Sequence, residues 1–328
     1  MLSQDEILQS IRERLTHPAN LQELMRTLDV PRAERVRFRR QLEALVASGA
    51  LIETRGKHYG LPELMDLLVG RVSVHPQGFA FVIPEQAVEG LVGDLYVAGT
   101  HVNEAMHGDR VVARIERHRA DGRAEGRILR ILERAASTVV GRFDLDPQGL
   151  RFVVPFDRRL VMDIQVPRGE ERRAKPGEMV VVEITRWPTP TRNPIGRVVE
   201  VLGDIDTPGV DTAIIIRKWS IPDEHGAAAV AEAKRLGTDV AQGDIAGRTD
   251  FRDLEIVTID GEHARDFDDA ISIERRGKGQ YLLGVHIADV SHYVGQGSEL
   301  DREAAARGTS VYFAERAVHM FPTELATG

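Results

Sequence analysis

Apolar positions recur at helical spacing three times within the first fifty residues, and the pattern then switches to short strand-like runs. Ile7, Leu8, Ile11 and Leu15 follow Ser3 and Glu6, a capping box in which hydroxyl and carboxylate satisfy each other's backbone N–H. Asn20 and Glu23 repeat the device ahead of Leu24, Met25 and Leu28. A third helix is predicted from Pro31, with Val36 and Phe38 opening an apolar stripe that Leu42, Leu45 and Val46 continue to a stop at Gly49. Leu51 to Thr54 and His58 to Leu61, joined by the turn Arg55-Gly56-Lys57, read as a hairpin.

That order of elements is the pattern of a winged helix, assigned to residues 1-62. Arg32, Arg35, Arg37, Arg39 and Arg40 fall on the third helix, where a helix-turn-helix protein presents its recognition surface. An ordinary solvated face accounts for them equally well at this stage.

The next region repeats itself. Gly70-Arg71-Val72-Ser73-Val74-His75-Pro76-Gln77-Gly78-Phe79-Ala80-Phe81-Val82-Ile83-Pro84 returns as the fifteen residues from Gly141 to Pro155, with eight positions identical. The register holds through Gly108-Asp109 and Gly177-Glu178, and again through Gly126-Arg127 and Gly196-Arg197. Short alternating runs broken by Gly and Pro in each copy suit a five-stranded Greek-key barrel of the oligonucleotide-binding type, over 66-134 and 137-203. Phe79 and Phe81 share a strand face because side chains alternate, and the stretch resembles the aromatic signature strand of cold-shock domains. Two such rings can stack on successive bases; alternatively they fill the barrel. The second copy keeps Phe152 but has Leu150 and Arg151 in place of Phe79 and Ala80, a weaker platform.

Composition narrows the chemistry. The 328 residues contain no Cys, which excludes disulfides, thiolate-bound zinc and a cysteine nucleophile and suits a reducing, cytoplasmic setting. No apolar run reaches the eighteen residues of a membrane span, so no membrane association is expected. The formal net charge of −8 argues against a nonspecific nucleic-acid coat, and the acid is concentrated at the carboxyl end, where residues 250-328 carry 15 Asp and Glu against 8 Lys and Arg. Only five of the 43 basic residues are Lys, which reflects either a preference for the bidentate guanidinium or an Arg-rich codon usage.

Asp260, Asp266, Asp268 and Asp269 crowd ten residues between β-rich runs of buried type, with Tyr281 to Asp289 as a hairpin partner. Two unit charges 4 Å apart repel by about 4 kcal/mol at an effective dielectric near 20, so converging carboxylates must take up protons or bind cations. With hard oxygen donors and no Cys, Mg²⁺ fits, with Mn²⁺ as the alternative. A calcium EF-hand is excluded, because Ala270 and Ile271 stand where a ligand and a glycine are required.

The string Asp260-x5-Asp266-x-Asp268-Asp269-Ala270, followed by His286-Ile287-Ala288-Asp289 and by Arg307-Gly308-Thr309-Ser310-Val311-Tyr312, resembles the catalytic-domain opening of the ribonuclease II superfamily, in its ribonuclease R branch. The upstream order of elements is similar to that branch over essentially the whole chain. The resemblance implies a multidomain α+β protein: a winged helix, two tandem OB-fold, cold-shock-like β-barrels, and the start of a ribonuclease II-type catalytic domain over 204-328. It implies processive 3′→5′ hydrolysis of RNA, structured RNA included, to nucleoside 5′-monophosphates. It casts the four aspartates as Mg²⁺ ligands, Asp268 as the one most directly tied to chemistry, and Tyr312 as an aromatic that packs against the terminal nucleotides. The implied partner is RNA, single-stranded or structured with a 3′ overhang, with a monomeric state and with ribosome association left open. His319 stands where the family usually has Pro, and the family's catalytic domain runs on for several hundred residues, so the 328-residue chain alone is expected to be inactive. The rival readings are a non-catalytic, cold-shock-type RNA-binding module and a winged-helix DNA-binding regulator.

Overall fold

The computed structural model describes residues 3–54, 56–237, 240–262 and 264–327, in two compact units that divide between Ile214 and Ile215. The first unit opens with α1 (Gln4–Arg14), β1 (Ala19–Asn20), α2 (Leu21–Thr27), α3 (Arg35–Ser48), β2 (Ile52–Glu53) and β3 (His58–Gly60). The capping box of Ser3 and Glu6 is formed, and the Asn20 side chain accepts from the Glu23 N–H. Ile7, Ile11, Leu24, Phe38, Leu42, Leu45, Leu51 and Leu61 meet in one core, each contributing about 1.5–3 kcal/mol by leaving water. Two details depart from the sequence reading. Val36 is 70% exposed, because it lies two residues before Phe38 in α3, about 200° around the helix from the stripe of Phe38, Leu42 and Leu45. The hairpin also gains a third strand, with β1 pairing β3 in the order β1-β3-β2. Arg55, in the predicted turn, lies outside the described residues.

Both halves of the sequence repeat close into five-stranded barrels. The first comprises β4 (Leu67–Val74), β5 (Ala80–Pro84), β6 (Leu95–Val97), β7 (Arg110–His118) and β8 (Ala124–Glu133), in the order β4-β5-β6-β8-β7. The second comprises β9 (Thr138–Leu145), β10 (Arg151–Pro155), β11 (Ile164–Val166), β12 (Met179–Arg186) and β13 (Ile195–Gly203), with the equivalent order. Their registers match: Gly70 faces Pro84 as Gly141 faces Pro155. The repeated glycine has a steric cause. A Cβ at Gly70 would overlap the Ile83 carbonyl, and one at Gly141 the Val154 carbonyl, so the close crossing that shuts each barrel admits no side chain. Alternate residues point inward, Val72, Val82, Leu95 and Ile128 in one barrel and Phe143, Val153, Ile164 and Val182 in the other.

Guanidinium groups join these parts of the first unit. Arg110 makes a bidentate pair with Glu85 at 2.6 and 2.7 Å and also donates to the Ser48 carbonyl at 2.6 Å, while Arg130 donates to the Val46 carbonyl at 2.8 Å. Two carbonyls at the C-terminal end of α3 thus receive cationic donors from the barrel, where the helix dipole favours positive charge. Arg134 leaves the first barrel, donates to buried Asp109 at 2.8 Å, and lays its guanidinium 4.2 Å from the ring centre of Trp187 in the β12–β13 loop. After β13, α4 (Val210–Lys218) lays Val210 and Ile214 over Val140, Met179 and Val181 on the outside of the second barrel.

The second unit contains α5 (Ala227–Leu236), α6 (Gln242–Ile245), β14 (Ile256–Val257), β15 (Asp269–Gly277), β16 (Gln280–Ile287), α7 (Val290–Tyr293), α8 (Glu299–Arg307), β17 (Val311–Tyr312), β18 (Ala317–Val318) and α9 (Thr323–Ala326). Helix α5 packs on α8 and α9 through Ala229, Ala233, Leu300 and Leu325. The strands β14-β15-β16 form an antiparallel sheet, but not a buried one: Val257, Ile273, Leu283, Val285 and Ile287 are more than half exposed. The apolar runs mark these as strands meant for a core, and the described residues of the unit supply too little surface to cover them. Among the described residues no helix is long and apolar enough to cross a membrane.

Candidate functional site

The first barrel carries a continuous aromatic surface. In the β4–β5 turn the His75 carbonyl accepts from the Gly78 N–H at 2.8 Å, a tight reversal that puts Gly78 at φ +90° and delivers Phe79 next to His75. The His75 and Phe79 rings are stacked, 4.3 Å between centroids with 11° between planes. Phe81 lies directly across from Tyr96 on β6, and Phe79 contacts both, with centroid separations of 5.7 to 5.8 Å among the three. Ala80 and Val82 point into the barrel between them, so Phe79 and Phe81 do not form its core. The sequence reading found Phe79 and Phe81 but missed His75 and Tyr96. Strand alternation marks neighbours along one strand, whereas Tyr96 joins through cross-strand pairing and His75 through the turn.

Phe152 occupies the corresponding place on the second barrel, and its cross-strand neighbours are Asp144 and Gln165 instead of aromatic rings. Arg151 is held by Glu171 at 3.4 Å, and Leu150 is 60% exposed. A lone ring therefore replaces the four-ring surface.

In the second unit, the acidic run crosses from the loop after β14 into β15. Asp260, Asp268 and Asp269 are exposed, and no ion pair or side-chain hydrogen bond among the described residues engages them. Asp268 accepts the Ala288 N–H through its backbone carbonyl at 2.9 Å, which ties the run to the end of β16. Asp266 is partly buried and differently placed. The Tyr312 hydroxyl donates to its Oδ2, and the His319 Nδ1 stands 3.6 Å from the same oxygen. The hydrogen bond from Tyr312 holds the Asp266 carboxyl below its ordinary range, and the same bond, with burial and the charges of Asp266 and Asp268, pushes the Tyr312 phenol up. Tyr312 reaches this position from β17, where it pairs with Ala317 of β18 and keeps its ring 62% exposed. His319 Nδ1 is buried and has no hydrogen-bond partner among the described residues.

Other carboxylates nearby are committed elsewhere. Asp289 is paired with Arg248 at 2.7 Å, which lowers its pKa, and Asp244 accepts from His292 at 2.9 Å. Arg307, 4% exposed, bonds Glu303 and the carbonyls of Pro222, Glu224 and His319, and so anchors the loop that carries His319. Four carboxylates with no thiolate among them match a hard dication in donor type. Their arrangement does not yet make a site: among the described residues no three His, Asp or Glu side chains converge as a metal centre.

Two five-stranded barrels of oligonucleotide-binding type followed by an acidic strand-loop define the architecture, and comparison with known families gives its class. Residues 70–131 match the Ribonuclease B OB domain, residues 152–225 the Cold shock domain and residues 248–328 the RNB domain. The chain is 39% identical over 325 residues to Ribonuclease R of Acidithiobacillus ferrooxidans, covering 98% of this chain and 73% of that protein. It is 41% identical to Ribonuclease R of Escherichia coli (strain K12) over 99% of this chain, but spans only 40% of that protein's length. The solved structure of Mycoplasma genitalium RNase R in complex with ribose methylated single-stranded RNA superposes with a TM-score of 0.70 at 25% identity, over 79% of this chain and 41% of the other. The chain belongs to the Ribonuclease R family.

Proposed function

We propose that the protein carrying this chain is a 3′→5′ exoribonuclease that hydrolyses RNA processively, structured RNA included, to nucleoside 5′-monophosphates. The observation that carries the reading is the RNB match over residues 248–328, which contains all four aspartates and Tyr312, behind two barrels of oligonucleotide-binding type. The rings of His75, Phe79, Phe81 and Tyr96 give single-stranded RNA a stacking surface, with Phe152 a smaller one. Asp260, Asp266, Asp268 and Asp269 are the residues that would hold Mg²⁺ or Mn²⁺. Such an ion, when bound, supplies an activated water and neutralises the leaving oxygen of a phosphodiester. Tyr312 donates to Asp266, keeps that carboxyl ionised, and presents its exposed ring to the last nucleotides. In the same reading residues 1-62 form a winged helix, and residues 204-328 open the catalytic domain.

A second reading, an RNA-binding module without hydrolysis, draws on the aspartates that do not converge among the described residues. One assay separates the two. Uniformly labelled RNA is incubated with Mg²⁺ and either the 328-residue chain or a chain continued through the catalytic region of the longer relatives. The nuclease reading requires mononucleotide release by the longer protein and its loss in Asp268→Asn. Binding without release by the longer protein leaves the module reading, and release untouched by Asp268→Asn removes that residue's role.

A further inference from the structure

The turn that carries the aromatic surface of the first barrel recurs in the second, and the two copies differ at its first residue. In each, that residue donates its backbone N–H across the turn and accepts a glycine N–H at its carbonyl: His75 bonds Phe79 and Gly78 at 2.8 Å, and Asp146 bonds Leu150 and Gly149 at 3.0 Å. Both glycines have positive φ, +90° and +82°. The side chain of the first residue also accepts the N–H two positions along. Asp146 Oδ1 takes the Gln148 N–H at 2.9 Å, and His75 Nδ1 takes the Gln77 N–H at 3.2 Å. The turn therefore asks only for a side-chain acceptor, the ordinary role of Asp or Asn. A histidine meets that need and brings two things the turn does not use, an aromatic ring and a second nitrogen.

Both are fixed in place. A ring nitrogen that accepts a backbone N–H carries no proton, so the neutral imidazole holds its proton on Nε2. Stacking on Phe79, 4.3 Å between centroids and 11° between planes, sets the plane of the ring, and the Gln77 bond sets its rotation within that plane. His75 is exposed, and among the described residues its Nε2 has no hydrogen-bond partner. A donor held from two sides, beside three further rings, needs no ordering when a ligand arrives. The second barrel has no equivalent: Asp146 and the exposed Leu150 stand in the places of His75 and Phe79, and a carboxylate there repels a phosphate.

We propose that His75 is a nucleotide-recognition residue of the first barrel, donating from Nε2 to an acceptor atom of the single-stranded RNA whose bases stack on the adjoining rings. This role rests on the barrel as a single-strand surface and adds a directed polar contact to stacking that by itself tolerates any sequence. The acceptor belongs to the phosphate backbone or to a base edge. A backbone contact positions the strand without reading it, and a base contact makes the surface selective.

Binding of the 328-residue chain to oligouridylate and to oligoadenylate of equal length tests the role with three variants. His75→Asn keeps a side-chain acceptor for the Gln77 N–H, as Asp146 does for Gln148, and removes the ring and the donor. His75→Phe keeps a ring and removes the donor, leaving the Gln77 N–H of an exposed turn to water. Phe81→Ala tests the barrel surface independently of His75. His75→Phe is expected to weaken binding roughly 2- to 12-fold, the range of one hydrogen bond, and His75→Asn further, because a stacking ring is lost as well. A loss equal on the two oligonucleotides assigns the acceptor to the backbone; a loss larger on one assigns it to a base. Circular dichroism confirms that each variant is folded. Wild-type affinity for both oligonucleotides in folded His75→Phe overturns the proposal, as does wild-type affinity in His75→Asn. Affinity lost in Phe81→Ala but not in the His75 variants removes His75 and leaves the barrel reading intact; affinity unchanged in all three removes both.

Discussion

Phe79 is the central ring of the proposed single-strand interface, because it touches His75, Phe81 and Tyr96 at once. Phe79→Ala removes one stacking partner, which corresponds to about 1–3 kcal/mol, or roughly 5- to 150-fold in Kd. It also withdraws the ring against which His75 is stacked, so the loss belongs in the upper half of that range. Folding is little affected, since Ala80 and Val82, and not Phe79, fill the barrel. Phe81 and Tyr96 still face each other 5.8 Å apart, so residual binding persists. Because the rings are in contact, Phe79→Ala and Tyr96→Ala are expected to be non-additive, with a coupling of about 0.5–1.5 kcal/mol. Fluorescence anisotropy on a labelled unstructured oligonucleotide measures each term. An affinity unchanged in Phe79→Ala, with the barrel intact by circular dichroism, refutes the reasoning. Additive losses would mean that the rings act on separate nucleotides without supporting one another.

Two stability predictions follow from the ion pairs of the first unit. Asp109 is 1% exposed and accepts from Arg134 and from the N–H groups of Met106 and Ala135. Asp109→Ala takes the carboxylate from Arg134 and the acceptor from the buried Met106 N–H and is expected to destabilise the first barrel by about 3–5 kcal/mol in urea unfolding; a change under about 1 kcal/mol contradicts the assigned role. The Arg110 hydrogen bond holds the Glu85 carboxyl below its ordinary value of 4.5. A carboxylate whose folded pKa is depressed stabilises fully above the unfolded value and progressively less as pH falls through the folded one. Glu85→Gln is therefore expected to lower stability near neutral pH by under about 1 kcal/mol, given the solvent exposure of the pair, and the gap should close below pH 4.5. A gap constant with pH would assign the effect to packing.

The acidic quartet illustrates the division between chain and fold. Its residue types suggest a hard-cation donor set, and the flanking apolar runs marked the strands correctly. Their environment was not legible. Strands read as buried are open to solvent, because burial depends on surfaces that other segments contribute, and a run of valines and isoleucines carries no information about whether those segments are present. Val36 failed for a local reason: two residues before Phe38 on the same helix, it points about 200° away from the buried stripe.

What the sequence determined by itself was everything carried by local spacing: the caps of α1 and α2, the repeat that becomes two barrels, and the pair Phe79 and Phe81 on one strand face. Tertiary structure alone decided which distant groups meet. It placed Tyr96 beside Phe81, Tyr312 and His319 on Asp266, and Arg134 over Trp187. Hydrogen bonds, ring contacts and ion pairs act over a few ångströms, and only the folded chain brings residues far apart in sequence within that distance.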